Sequence, residues 1–147
     1  MTPDLHPAYA AASQYSSFAR RALPQLQSLG PLYPPDQPIT PAQLSIWSKA
    51  AQREADTGAV TPEQAIRRFR NRALLAIMAR DLCGAADLDE NLRGLSSLAE
   101  HCAQWAYTAA LREAKERHGR PLGRSGEPVD LLIVGMGKLG GYELNAS

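Results

Sequence analysis

Gly135-Met136-Gly137-Lys138-Leu139-Gly140-Gly141 places four glycines and a lysine within seven residues. Backbone without Cβ atoms can turn its amides inward and approach a ligand closely, as a phosphate cradle requires. The Lys138 ammonium offers a cation to the same phosphates. A plain glycine-rich turn with a solvated lysine fits the composition equally well. A Walker A loop needs Ser or Thr after its lysine, and Leu139 stands there, so that loop is excluded. Gly135, Gly137 and Gly140 do satisfy the Gly-x-Gly-x-x-Gly spacing of dinucleotide folds. That fold also requires a helix, a second strand and an acidic residue ~20 positions on, and the sequence after Gly140 is too short to test it.

Other chemistry-bearing residues are scattered. His6, His101 and His118 lie too far apart to suggest a ligand set, and Cys83 and Cys102 lack metal-ligand spacing, so no metal site is expected. Asn145-Ala146-Ser147 spells a glycosylation acceptor, but Met1–Pro7 has neither the basic nor the apolar block of a secretory signal. The two cysteines are therefore expected as reduced, buried thiols of a cytoplasmic protein. Sixteen Lys and Arg against fifteen Asp and Glu leave a charge of +1, which gives no field for nucleic acid or an anionic membrane. No apolar run approaches the ~20 residues of a membrane span. Charged residues at 21% and hydrophobic ones at 44% describe a globular chain of about one domain.

The elements that must carry the loop are mainly helical. Eight of eleven prolines fall within residues 1–41, none lies between Glu63 and Arg120, and seven of eleven glycines occur from Gly119 onward. Three parts follow from that punctuation: residues 1–39, a helix with a proline-rich connector; 40–119, a helical unit; and 120–147, a strand with the Gly-rich loop. A first helix is expected over about 7–23, with Tyr15, Phe18 and Ala22 at helical spacing. The connector, residues 30–38, holds four prolines and can form neither helix nor central strand.

Thr40-Pro41-Ala42-Gln43 and Thr61-Pro62-Glu63-Gln64 each read as N-cap, N1 proline and N3 glutamine of a capping box. They open helices over about 41–56, with Leu44, Trp47 and Ala51 inward, and about 62–83. In the second, Ile66, Phe69, Ala73 and Ile77 form an inward stripe. Arg67, Arg68 and Arg72 fall on the other side; with Arg70 they make a solvated face or, alternatively, a docking patch for an acidic partner. Asp87-Leu88-Asp89-Glu90 opens a helix reaching His118, with Leu92, Leu95, Leu98, Ala99, Cys102, Ala106 and Leu111 as its apolar row. Gly94 is its weak point, and Trp105 is a packing residue like Trp47. Val129–Val134 has strand length and branched residues, and is expected as a buried strand. A single strand makes no sheet, so its partners must lie elsewhere.

The run Leu131–Asn145 closely resembles the signature of the glutamine synthetase adenylyltransferase/adenylyl-removing enzymes. It departs at Tyr142, where the family often has Gly, and at Ala146, where it often has an aromatic residue. Leu95–Glu100, Gly119-Arg120-Pro121 and the Arg67–Arg72 stretch also resemble that family. The resemblance implies a helical N-terminal region leading into the truncated start of a polymerase-β-like nucleotidyltransferase α/β unit. Gly135, Gly137, Lys138, Gly140, Gly141 and Ser147 would then stand at the nucleotide phosphates. From its spacing alone, Glu143 is expected to orient the loop in the complete enzyme through hydrogen bonds to its amides.

The resemblance further implies Mg²⁺ held by paired aspartates in a Ser-Asp-Ile-Asp-Leu segment beyond Ser147, so the chain itself supplies no catalytic residue. The implied activity is phosphorolysis of adenylyl-tyrosine on glutamine synthetase to give ADP, with adenylylation from ATP by the whole enzyme. A PII-type regulatory protein would be a second partner. On this reading the chain is an N-terminal, adenylyl-removing fragment that is inactive alone. A non-catalytic helical interaction module and a Rossmann-type dinucleotide-binding fragment remain as alternatives.

Overall fold

The computed structural model describes residues 5–145. They form six helices: α1 Pro7–Tyr15, α2 Ser17–Ser28, α3 Pro41–Asp56, α4 Pro62–Leu82, α5 Leu88–His118 and α6 Gly137–Gly140. α4 lies at the centre, packed against α1, α2, α3 and α5. Leu44 of α3 and Phe69 and Leu75 of α4 are fully buried. Phe69 lies 6.2 Å, ring to ring, from Trp105 of α5, and Tyr33 of the connector stacks on Trp47 at 4.1 Å. Burial pushes the Tyr33 phenol up to about 12, with the Arg72 charge opposing. Both tryptophans are core residues, as their spacing predicts.

Helix starts follow the sequence closely. The hydroxyls of Thr40 and Thr61 accept from the amides of Gln43 and Gln64. The reciprocal bond from the N-cap amide to the N3 side chain forms only at Thr61. Gly84 and Gly119, at φ +71° and +81°, end α4 and α5 in the left-handed region that favours glycine.

The N-terminal helix is two helices instead of one. Ser16 adopts extended backbone and its hydroxyl caps Ala19, so a Ser N-cap restarts the chain where periodicity alone predicts continuation. α2 then runs through Pro24 to Ser28. Pro24 and Arg20, whose carbonyl that proline cannot serve, are both exposed, so the lost helical bond falls on the open side. Tyr15 is exposed rather than packed.

Two arginines expected or ignored as surface residues are buried. Because α4 is surrounded, it has little solvent face, and Arg72 turns inward to donate to the Leu29 carbonyl at 2.9 Å. That bond satisfies an orphan acceptor at the end of α2. Arg67 and Arg70 are exposed and Arg68 is half-buried. Arg80 ties four segments together. Its Nε and Nη2 donate to the Glu90 carboxylate at 2.6 and 3.1 Å, and Nη1 and Nη2 donate to the Pro35 and Ala85 carbonyls at 2.8 and 2.9 Å. Glu90 also accepts from the Ile39 amide at 3.2 Å. At Asp87 only half of a capping box forms: Asp87 caps Glu90, while the Glu90 carboxylate serves Arg80.

α5 buries a different row from the one expected. Leu98 and Trp105 are buried, but Leu92, Leu95, Ala99, Cys102 and Leu111 are only half-buried and Ala106 is exposed. Gly94, Ser96 and Ser97 face the core instead. Gly94 sits against α4, where an added Cβ would meet Ile77 at 3.5 Å, an ordinary contact. Past Trp105 the last turns outrun the core. Neither cysteine is fully buried; Cys83 is exposed and Cys102 half-buried, its thiol pushed up to about 11 mainly by burial.

Residues 129–134 form no strand. Among the described residues there is no β-ladder, only an isolated antiparallel bridge between Leu122 and Pro128. Leu131, Leu132 and Val134 are at least two-thirds exposed. Among the described residues no neighbouring strand is there to receive its backbone or cover its side chains.

Candidate functional site: the glycine-rich loop

The loop is a tight coil around one helical turn. Gly137 opens that turn at φ +57°. The amides of Gly140, Gly141, Tyr142 and Glu143 donate to the carbonyls of Met136, Gly137, Leu139 and Lys138, at 3.4, 2.9, 3.2 and 2.7 Å. The chain folds so closely that a Cβ on Gly140 would stand 2.5 Å from the Gly135 carbonyl oxygen. Only glycine fits there without a shift of backbone.

This pattern sorts the expected phosphate contacts. Gly135, Gly137, Lys138, Gly140 and Gly141 are brought together, and Ser147 lies outside the described residues. The Gly140 and Gly141 amides are spent on the coil. Among the described residues, those of Gly137, Lys138 and Leu139 have no internal acceptor. Lys138 is exposed, its Nζ 3.3 Å from the Asn145 side-chain oxygen. Three consecutive free donors beside an ammonium can hold an anion.

In this chain Glu143 makes no such contact with the loop amides. Its own amide bonds the Lys138 carbonyl, and its carboxylate reaches no loop amide among the described residues. Contacts missed in the sequence hold the loop instead. The Tyr142 hydroxyl donates to Glu100 Oε1 of α5 at 2.6 Å, and the Leu131 amide donates to the Tyr107 hydroxyl at 3.2 Å. Tyr142 sits at φ +57°, a conformation uncommon outside glycine. Its signal was the departure from Gly at that position; Glu100 and Tyr107 gave none.

A groove of about 460 Å³ runs between this loop and α5, lined by Glu100, Gln104, Ile133, Gly135, Leu139 and Tyr142 among others. A larger cavity, about 790 Å³, opens beside Tyr9, Gln27, Tyr33 and Asp36 at the proline-rich connector and includes no loop residue. There the Tyr9 phenol, raised mainly by burial, donates to the Tyr33 carbonyl. No three His, Cys, Asp or Glu side chains gather among the described residues. Asp130, upstream of the loop, is exposed. The donors present do not fit Mg²⁺.

Residues 4–147 match the family described as glutamate-ammonia ligase adenylyltransferase. The chain is 37% identical over 148 residues to the bifunctional glutamine synthetase adenylyltransferase/adenylyl-removing enzyme of Bordetella pertussis, covering 96% of this chain and 16% of that protein. The protein of the same name from Thioalkalivibrio sulfidiphilus is 42% identical over 106 residues, 72% of this chain and 10% of its own length. That from Pseudomonas aeruginosa is 48% identical over 83 residues, 56% of this chain and 8% of its own. The chain thus spans between about a twelfth and a sixth of these relatives. No solved structure matches it. With the match running through both the helices and the glycine-rich loop, the chain belongs to the glutamate-ammonia ligase adenylyltransferase family.

Proposed function

We propose that the chain supplies the nucleotide-phosphate loop of a nucleotidyltransferase unit that acts on glutamine synthetase. The observation carrying this reading is the row of amides at Gly137, Lys138 and Leu139, free of internal acceptors among the described residues and beside the Lys138 ammonium. Phosphoryl-group chemistry is mostly positioning and charge neutralisation, and such donors contribute to both. Gly135 and Gly140 act sterically by letting the coil close, and Gly141 continues it. Residues 129–134, not a strand here, become the first strand of the α/β unit once neighbouring strands are supplied.

Of the two activities in the relatives' name we assign adenylyl removal, on the resemblance set out above. An oxygen of inorganic phosphate attacks the AMP phosphorus, the bond to the tyrosine oxygen breaks, and the products are ADP and free tyrosine. The complete enzyme also carries out the adenylylation from ATP. This chain contributes binding and orientation of phosphates; among the described residues no cluster of His, Cys, Asp or Glu could hold Mg²⁺. Glutamine synthetase is the partner, in the cytoplasm, with a PII-type protein as regulator. The exposed Arg67 and Arg70 offer an acidic partner a contact on α4.

Competition binding tests the assignment. ADP and ATP should displace a fluorescent adenine nucleotide from this chain, while NAD should do so poorly. Displacement by NAD alone would favour a dinucleotide site, and no binding of any nucleotide would leave a helical interaction module. The chain alone should show no Mg²⁺-dependent phosphorolysis of adenylylated glutamine synthetase; turnover by it would overturn the inactivity.

A further inference from the structure

The glycine-rich coil is exposed except at half-buried Leu139 and belongs to no sheet among the described residues, so its own four internal amide bonds do not fix where it sits. Two hydroxyls cross between it and α5, in opposite senses. Tyr107 of α5 accepts from the Leu131 amide at 3.2 Å, ahead of the loop. Tyr142, behind the loop, donates to Glu100 of α5 at 2.6 Å. Glu100 and Tyr107 are seven residues apart, two turns along the same helix face. Ala103 and Gln104 lie between them, facing the groove that Gly135, Leu139 and Gly140 close from the other side.

From this juxtaposition we propose that Glu100 and Tyr107 of α5, with Tyr142, form a two-point latch that seats the glycine-rich loop on the helical unit. All three are positioning residues. The latch rests on its geometry alone, while its use in holding nucleotide phosphate rests on the function proposed above. The Tyr142 bond has a carboxylate acceptor, which makes it the stronger of the two. It also offsets the left-handed backbone at Tyr142, which a Tyr side chain adopts at a cost. The phenol reports the contact: the Glu100 hydrogen bond holds it above the usual tyrosine value, with the Glu100 charge adding and Arg93 opposing.

The test needs no nucleotide. Amide exchange of Gly141, Tyr142 and Glu143 is followed in the intact chain and in Tyr142→Phe, Tyr107→Phe, Glu100→Ala and Glu100→Gln, with ring-labelled tyrosine NMR reading the Tyr142 titration. Tyr142→Phe and Glu100→Ala should speed exchange of these amides about three- to tenfold and leave the thermal midpoint unchanged, because the latch lies outside the core. Tyr107→Phe should do the same more weakly. Glu100→Gln keeps an acceptor, so it should preserve most protection while the Tyr142 phenol falls toward its free value. Exchange and titration that are indifferent to all four substitutions would overturn the latch. A second arm, nucleotide binding to the same variants, separates the two readings. Faster exchange in a chain that binds no nucleotide keeps the latch and removes the function; weaker binding in step with faster exchange supports both.

Discussion

Arg80→Leu is expected to destabilise the chain by about 3–5 kcal/mol, the cost of stripping a buried ion pair of one partner. The Arg80 side chain is 5% exposed and that of Glu90 20%, so water cannot replace what is lost. The substitution removes the bonds to Glu90, Pro35 and Ala85 together. It frees the connector from α4 and leaves a mostly covered carboxylate unpaired. Against a total of about 5–15 kcal/mol for an ordinary domain, that is a large share. Thermal unfolding should show a midpoint lowered by roughly 10 °C or more. A shift of a degree or two would mean the pair contributes little.

Glu90 gives the same knot a pH signature. The Arg80 hydrogen bond holds its carboxyl below the ordinary 4.5, against the opposing effect of burial, with the Ile39 amide helping. A carboxyl depressed in the folded state adds stability that is present above its unfolded value and lost as the pH falls through the folded one. Stability should therefore fall on acidification below about 4.5. Glu90→Gln should be less stable at neutral pH and should lose that portion of the acid dependence.

The second large effect is local. Gly140→Ala would place a Cβ 2.5 Å from the Gly135 oxygen and 3.1 Å from its carbonyl carbon. Both are backbone atoms, so the coil itself must open. Overpacking of this kind costs about 1–3 kcal/mol, or about five- to 150-fold in the population of the closed loop. Exchange of the Gly141 and Glu143 amides should accelerate accordingly and nucleotide binding should weaken in proportion. The thermal midpoint should hardly move, since no core residue is touched. Gly141→Ala is the contrast: its Cβ would find the Gly137 oxygen at 3.5 Å, ordinary contact, so the coil should persist. Equal effects from the two alanines would rule out close packing as the reason for Gly140.

Where local chemistry decides the backbone, the sequence was readable. Thr40, Thr61, Asp87, Gly84 and Gly119 mark helix ends within a residue or so, because caps and left-handed stops act over one turn. The break at Ser16 was missed because a helix-compatible spacing continues across it, and only the Ser hydroxyl favours restarting. The inward turn of Arg72 and the Arg80–Glu90 knot were missed for a different reason. Both depend on segments 43 and 10 to 45 residues away, and no periodicity within α4 registers them.

The glycine cluster was legible as one coil, but which of its amides are free was not. That depends on the coil closing so that Gly140 and Gly141 donate back. The strand expected at 129–134 shows the opposite limit. Branched residues favour strand backbone, but ladder bonds need a neighbour that composition cannot supply.

Residue-resolved hydrogen exchange with and without ADP tests the central claim most directly. Slower exchange at the Gly137, Lys138 and Leu139 amides on adding ADP, with Gly140→Ala abolishing the effect, is the result expected of a phosphate-holding loop. Those three amides exchanging at the same rate in saturating ADP, or protection appearing only around Tyr9 and Tyr33, would contradict it.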